Sequence, residues 1–329
     1  MKKTLSNSKQ SIFKKSEDVN GIVVTGHDFR SRIELENFIQ NYKSYGFQAS
    51  NLYKAIELIK KMRKEKVKIF LGYTSNMVSS GVRECIRYLV ENKLVDVLVT
   101  TTGGVEEDII KTIKPFVLGD FRADGSKLRE KGINRIGNIF VPNDRYIEFE
   151  KFFQPILKEL LDKQLKSNEI VSPSEVIDIL GQKVSNKSSI YYWAHKNKIP
   201  VFCPALMDGA IGDNVYFFNY DKKTPLKIDM AKDHHRLIES AVDAEETGII
   251  LLGSGLIKHT ICNANMFREG AKYAVYINTA PEYDGSDSGA EPEEAKSWGK
   301  IQGKADTVKV FGDATILFPL IVSGAFIRK

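Results

Sequence analysis

The chain has 329 residues, 42% of them apolar and 27% charged. That composition suits a folded body with a sizeable core and excludes disordered, collagen-like and coiled-coil classes. The net charge of +6 is concentrated at one end, because Lys2, Lys3, Lys9, Lys14 and Lys15 stand in a stretch of 15 residues without an acid, and the rest of the chain is close to neutral. A nucleic-acid protein would carry its basic surplus on the folded body, so nucleic acid is not an expected partner.

In chain order, the basic start lacks the apolar run of a secretory signal and the arginines of a mitochondrial presequence. Residues 1–19 are expected to form a solvated, flexible tail, and residues 20–329 one domain. Helical spacing predicts helices over 32–43 and 48–65, the second with Leu52, Ala55, Ile56, Ile59 and Met62 on one face. An apolar run at 67–71 reads as a strand, followed by a helix carrying Val82, Ile86, Leu89 and Val90. A strand at 97–99, a helix near 105–113 and a strand at 139–141 come next. Asn143 or Asp144 is expected to cap a helical region that Pro155 kinks or divides. Ser172-Pro173-Ser174-Glu175 has helix-start chemistry. Further strands are predicted at 200–203, 215–218, 249–252, 274–277 and 308–311, with helices near 228–246, 260–269 and 314–327. Short continuous apolar strands separated by helices imply an α/β fold: a doubly wound, largely parallel, Rossmann-like sheet with additional N-terminal helices. The apolar stretch 316–327 contains Pro319, Ser323 and Gly324, too short and too broken to span a bilayer. Cys85, Cys203 and Cys262 are far apart with no CxxC, which argues against disulfides and a zinc site and for a reducing compartment. The expectation is a cytoplasmic protein with no membrane partner and no metal.

Polar residues gather where the strands end. LGYTSNM follows the first strand, VTTTGGVEED the second and CPALMDGAIGD a third, while LLGSGLIKH, INTAPEYDGSDSGA and VFGDAT follow three more. In open parallel sheets, ligands bind outside the carboxyl ends of the strands, so six such loops suggest one large composite site. No Walker A sequence is present, and Gly253-Ser254-Gly255 is followed by Lys258 where GxGxxG needs its third glycine. These loops alone therefore support a nucleotide-like ligand and nothing narrower.

Between Asn278 and Gly299 stand six acids (Glu282, Asp284, Asp287, Glu291, Glu293, Glu294) and a single base, Lys296. Such a run is either a solvated face or a site for a small polycation, with Trp298 as a stacking face. His234 and His235 are neighbours on a predicted helix and point apart, which does not suit a metal pair. His27 and His195 read as ordinary histidines. His259, just after a glycine-bearing strand end, is either a helix-start residue or a proton acceptor. Lys300 in Ser297-Trp298-Gly299-Lys300 is either an exposed turn residue or a nucleophile. As a nucleophile it must shed a proton held at about 10.4 in a free lysine, to His259 or to an amine leaving group.

The strings LGYTSNMVSSGVRECIRYLV, DVLVTTTGGVEEDIIK, FCPALMDGAIGD, KHTICNANMFREGAKYAVYINT, EYDGSDSGAEPEEAKSWGKI and VKVFGDATILFPL closely resemble deoxyhypusine synthase, collinearly from about residue 20 to the end. The resemblance implies NAD-dependent transfer of the aminobutyl group of spermidine, first to an enzyme lysine and then to one lysine of the translation initiation factor 5A precursor. Diaminopropane is released on the way, and a returned hydride gives deoxyhypusine. The family lysine falls on Lys300, with His259 as its catalytic neighbour. The implied NAD positions are Ser75, Asn76, Met77, Val78 and Ser79 in the first loop, and Thr101, Thr102, Gly103 and Glu107 in the second. Asp208, Ser254, Thr279, Ala280, Asp313 and Ala314 complete them. The implied spermidine positions are Gly285, Ser286, Asp287, Glu294, Trp298 and Lys300, with Glu106, Glu107, Asp213 and His259. Ser254 stands in place of the middle glycine of GGG, Thr260 in place of a second histidine, and Thr102 where alanine is frequent. The resemblance also implies a homotetramer with sites at dimer interfaces, with the acidic loop and Lys300 expected to face His259 of a neighbouring subunit, and an N-terminal segment able to cover the site entrance. Homospermidine synthase, which passes the same group to putrescine, and a silent NAD-binding regulatory paralogue are the alternatives.

Overall fold

A computed structural model describes residues 2–327, with side chains from residue 7 onward. Met1, the side chains of Lys2 and Lys3 and the last two residues of the expected domain lie outside the described residues. The strands among the described residues are β1 (Lys68–Tyr73), β2 (Val97–Thr100), β3 (Val117–Leu118), β4 (Ile133–Ile136), β5 (Ile139–Pro142), β6 (Val201–Phe202), β7 (Thr247–Leu252), β8 (Ala271–Asn278) and β9 (Ile301–Phe311). Six of them form one parallel sheet in the order β6-β2-β1-β7-β8-β9. Numbered by chain position within the sheet, that is 3-2-1-4-5-6, the dinucleotide-binding order, with its switch point between β1 and β7.

The strands read as unbroken apolar runs because both faces of the sheet are covered. Along β1, Ile69, Leu71 and Tyr73 enter one core cluster while Phe70 enters the other. The same division separates Ile250 and Leu252 from Ile249 and Leu251 on β7. Gly72 permits a close approach: a Cβ there would stand 2.6 Å from Ile261 Cδ1 and 2.7 Å from Leu251 Cδ2. The helix Phe47–Glu65 buries Leu52, Ala55, Ile56, Leu58, Ile59 and Met62, the predicted face with one added leucine. The helix Pro173–Lys183 starts as its sequence signals, with the Ser172 N–H donating to Glu175 Oε2 at 2.8 Å.

Several expectations are corrected. The predicted strand at 215–218 lies inside a helix, Ala210–Asn219. Val-Tyr-Phe-Phe carries β-propensity, but the buried positions are Ile211, Asn214 and Val215, at helical spacing, while Tyr216 and Phe217 face outward. The strand at 139–141 belongs to a separate antiparallel sheet, ordered β3-β5-β4, which turns at Gly137 with φ +58°. Neither Asn143 nor Asp144 is a cap. The helix Asn143–Ser167 begins behind Pro142 and runs through Pro155 undivided. At the N-terminus Lys2–Ile12 is helical, and the exposed chain after it touches the body where the Thr25 N–H donates to Ser44 O at 3.0 Å and the His27 N–H to the Tyr45 hydroxyl at 2.9 Å. No helix among the described residues is long and apolar enough to cross a membrane.

Candidate active site

All six polar loops singled out in the sequence follow the carboxyl ends of the six parallel strands, so the topology gathers them along one edge of the sheet. At the switch point, the Thr74 N–H donates to Leu252 O at 3.3 Å, joining the loops after β1 and β7. Gly253 has φ +83°, and a Cβ there would stand 2.6 Å from Thr74 Oγ1, so this crossing needs glycine twice over.

The loops after β1 and β2 interlock. The Ser75 N–H donates to Thr101 Oγ1 at 3.0 Å, and Thr74 Oγ1 meets Asn76 Oδ1 at 2.5 Å. Met77, Val78 and Ser79 are buried in the short helix Ser75–Ser79. Lys111 closes its far end by donating to the carbonyls of Val78 (2.9 Å), Ser79 (3.0 Å) and Ser80 (3.2 Å). Gly103 opens the helix Thr102–Ile113, where a Cβ would stand 2.8 Å from Ser75 Cβ and 3.2 Å from Glu107 Oε1. Thr102, where alanine was noted as frequent, is fully buried and donates to Ala205 O, tying this helix to the loop after β6 that carries Asp208.

Two neighbouring carboxyls stand behind that helix start. Burial pushes Glu107 up to about 8, Glu106 beside it adds to the rise, and the Ser79 hydroxyl, which donates to Glu107, opposes it. Burial also raises Glu106, against the N–H groups of Ile211 and Ala210. Glu107 is thus mainly neutral at pH 7 and does not oppose an anion at the helix start. A helix N-terminus, a glycine permitting close backbone approach and a neutral buried carboxyl fit the pyrophosphate of a dinucleotide. Glu106 also lines a cavity of about 600 Å³ with Tyr146, Glu150, Gly209, Asp213 and Asn214. Burial and the two glutamates push the Tyr146 hydroxyl up to about 12.

The acidic loop forms a second group. His259 Nδ1 lies 3.7 Å from Asp287 Oδ1, and its Nε2 is 2.8 Å from Asn263 Nδ2. Asp287 Oδ2 is buried without a hydrogen-bond partner. Lys300 Nζ lies 5.5 Å from the centre of the exposed Trp298 ring. Burial pushes the Cys262 thiol up to about 11, and it lies near enough to Lys258, Asp287 and Lys300 to feel their charges. Glu294 opens the short helix Pro292–Ser297, and Gly285 (φ +70°) and Ser286 form the exposed turn before Asp287. Ser288 Oγ would stand 3.6 Å from a Cβ on Gly255, which joins this loop to the one bearing Ser254. Thr279 and Ala280 follow β8, and Asp313 caps the last helix by accepting from the Thr315 N–H at 2.8 Å, with Ala314 buried behind it.

One chain brings His259 to Asp287 of its own acidic loop, so this part of the loop needs no neighbour's His259. Three histidines have partners elsewhere: His195 pairs with Asp178 at 2.8 Å, His235 lies 3.1 Å from Glu239, and His27 packs edge-on against Phe29 and Phe38, while His234 lines a cavity with Cys203, Pro204 and Thr260. Among the described residues no cluster of His, Cys, Asp and Glu suits a metal ion. Sequence reasoning missed Lys111, Lys258, Lys309 and Tyr146. The one clear signal was at Lys309, a charge between two apolar neighbours in Val308-Lys309-Val310; Lys111 and Lys258 each have a polar residue on one side.

A family model described as deoxyhypusine synthase matches residues 37–325. A probable deoxyhypusine synthase of Methanocaldococcus jannaschii is 52% identical over 325 residues, covering 94% of this chain and 98% of that protein. The deoxyhypusine synthase of Arabidopsis thaliana is 47% identical, covering 99% and 96%. A crystal structure of a putative deoxyhypusine synthase from Entamoeba histolytica superposes with a TM-score of 0.70 at 31% identity, covering 92% of this chain and 96% of that one. Sequence over nearly the full length and the arrangement of the sheet agree, and the chain belongs to the deoxyhypusine synthase family of transferases.

Proposed function

We propose that the chain catalyses NAD-dependent transfer of the aminobutyl group of spermidine, through an imine on Lys300, to one lysine of the translation initiation factor 5A precursor, the first step of hypusine formation, in the cytoplasm. The observation that carries it is the grouping, around one loop, of an amine (Lys300), an imidazole (His259), an aromatic face (Trp298) and a carboxylate with an unpartnered buried oxygen (Asp287). These are the parts needed to hold an alkylammonium chain and attack a carbon on it.

NAD, when bound, accepts a hydride from the substrate and later returns it. Ser75, Asn76, Ser79, Thr101, Thr102 and Gly103 would hold it at the crossing of the first two loops, with Ser254, Thr279, Ala280, Asp208, Asp313 and Ala314 on the loops beside them. Asp287 Oδ2 takes an ammonium of spermidine, and Glu294, Gly285 and Ser286 complete that side. Trp298 lies against the alkyl chain. His259 accepts at Nε2, in place of its hydrogen bond from the Asn263 amide, the proton that a lysine must lose before it attacks, and Asp287, 3.7 Å from Nδ1, favours the imidazolium so formed. Lys300 Nζ then bonds to the oxidised carbon as the bond to diaminopropane breaks, and the acceptor lysine displaces Lys300 in turn.

The acids Glu106 and Asp213, which line one cavity with Glu107 behind them, form a half-site without a nucleophile, and the acidic loop forms one with it. Exposed apolar residues border both: Met207, Tyr216, Phe217 and Tyr220 near Asp213, and Leu256, Tyr283 and Trp298 near the loop. Patches of this kind are what a second copy covers, which supports a homotetramer with its sites at dimer interfaces. The test is incubation with NAD and labelled spermidine, with either the factor 5A precursor or putrescine as acceptor. Label in the protein supports the proposal. Label in a small amine makes the enzyme a homospermidine synthase, and label in neither acceptor refutes transferase action on spermidine.

A further inference from the structure

Two lysines that no step of this reaction uses lie buried beneath the acidic loop. Lys258, on the helix Leu256–Met266, is 2% exposed, and Lys309, on β9, is 8% exposed. Their ammonium groups are directed mainly at backbone. Lys258 Nζ donates to the carbonyls of Asp287 (2.5 Å) and Ala290 (2.7 Å) and lies 5.1 Å from the centre of the Tyr276 ring. Lys309 Nζ donates to the carbonyls of Ala280 (3.1 Å) and Gly289 (2.6 Å) and reaches Glu291 Oε1 at 3.0 Å. Between the end of β8 at Asn278 and the helix that starts at Pro292, the chain has no helix or strand of its own. Its shape depends on what it is tied to.

A buried ammonium is costly unless its donors are used, and a methionine or leucine at such a position often serves stability as well or better. Packing alone therefore does not account for two lysines at apolar positions of a helix and a strand. What they share is one loop, gripped from two different elements at four carbonyls, one of them the carbonyl of Asp287 itself.

We propose that Lys258 and Lys309 are positioning residues: they fix the backbone of residues 280–290 from below, so that the buried, unpartnered oxygen of Asp287 is held open for a substrate ammonium. The inference rests on reading this loop as the polyamine side of the site, and it assigns to the two lysines a role in holding substrate without touching it.

The experiment compares full-length wild type with Lys258→Met, Lys309→Met, the double variant and Lys258→Arg. Hydrogen–deuterium exchange at the amides of 282–290 is measured on ligand-free protein, and KM for spermidine, kcat and NAD affinity on active enzyme. Each Met variant should speed exchange in the loop by about tenfold or more and raise the spermidine KM by about tenfold to a hundredfold. In Lys258→Met NAD affinity should stay within about twofold, because its carbonyl partners Asp287 and Ala290 are not cofactor residues; Lys309 also ties Ala280 on the cofactor side, so Lys309→Met is judged on loop exchange and the spermidine KM. The double variant should be little worse than the worse single one, since both lysines hold the same segment. Lys258→Arg, which keeps a donor, should fall between wild type and Lys258→Met. Unchanged exchange overturns the proposal, as does a loosened loop with an unchanged spermidine KM, or, in the Lys258 variants, a loss of NAD affinity in step with spermidine. If Lys258→Met does not fold, Lys309→Met and Lys258→Arg decide by the same criteria. A wild-type enzyme indifferent to spermidine would refute the functional reading instead, and loop exchange would still judge the lysines.

Discussion

Glu107 gives the sharpest quantitative test of the site's electrostatics. It is 5% exposed, and its carboxyl is raised from an ordinary 4.5 to about 8, chiefly by burial. Between those two values the native protein binds more protons at this group than the unfolded chain does. The stability linked to Glu107 is therefore fully present below about pH 4.5 and is lost as pH rises through about 8. At about 1.4 kcal/mol per pH unit, the loss between pH 5 and pH 8 is on the order of 3 kcal/mol. Glu107→Gln keeps the shape and an acceptor for the Ser79 hydroxyl while removing the titration. Urea unfolding of ligand-free protein, wild type and variant at one protomer concentration, should give nearly equal stabilities at pH 5. The variant should pull ahead by roughly 3 kcal/mol toward pH 8. Groups remote from Glu107 cancel in the difference between the two proteins, and Glu106 beside it belongs to the same titration. A difference that does not change with pH would mean that Glu107 ionises as an ordinary glutamate. The neutral carboxyl behind the helix start would then be wrong, and with it part of the case for an anion there.

Lys300→Arg should lower transfer to the acceptor at least about a thousandfold, because a guanidinium stays protonated and cannot attack; NAD-dependent release of diaminopropane, measured separately, should partly survive, and full transfer would remove Lys300 from its role. Asp287→Asn and Trp298→Ala should each raise the spermidine KM by about tenfold or more with NAD affinity little changed, so equal losses for both ligands would mean the acidic loop is misassigned. Gly103→Ala should do the reverse, since its Cβ would meet Ser75 Cβ at 2.8 Å and Glu107 Oε1 at 3.2 Å; NAD titration by fluorescence would show a loss of about tenfold or more, and undiminished NAD binding would refute close backbone approach at this turn. If the two half-sites come from different subunits, inactive Lys300→Ala and Asp213→Asn proteins co-expressed in equal amounts should recover activity at about a quarter of the sites, whereas no recovery in demonstrably mixed oligomers would put both residues in one chain.

The fold was legible where burial on two faces dictates composition. The runs Ile69–Leu71, Val97–Val99 and Ile249–Leu252 are apolar throughout because both sides of the sheet are covered, and no surface pattern competes. Legibility failed at Val215–Phe218, where aromatic and β-branched residues stand in a row. Which of them is buried is decided by the helix Asn143–Ser167 packed against that segment, and the local sequence does not contain that fact. It failed again for β3 and β4, two short strands of an excursion that pairs only with β5. The polar loops were legible as a set, since six runs of Gly, Ser, Thr and Asp after six strands have one common destination in a parallel sheet.

The chemistry within those loops was legible unevenly, and the reason lies in where each charge is compensated. Asp287 and Lys300 declare themselves because their neighbours in sequence are polar and their roles are local: an acid in an acid run, a lysine beside a tryptophan. Lys258 and Lys309 do not, because their partners are backbone carbonyls 29 to 32 and 20 to 29 residues away in the chain. No residue type in the loop marks a carbonyl as an acceptor. What the sequence does contain is an anomaly on the donor side, a lysine following Leu256-Ile257 and another inside Val308-Lys309-Val310, each next to residues that the fold buries. An ammonium can occupy such a place only if several oxygens meet it there. The nearest stretch of chain with oxygens to spare is one without a helix or strand to use them. A buried lysine thus points, by its own hydrogen-bonding capacity, to a loop that needs holding. In this fold that loop is the one around which Asp287, Trp298, His259 and Lys300 are gathered.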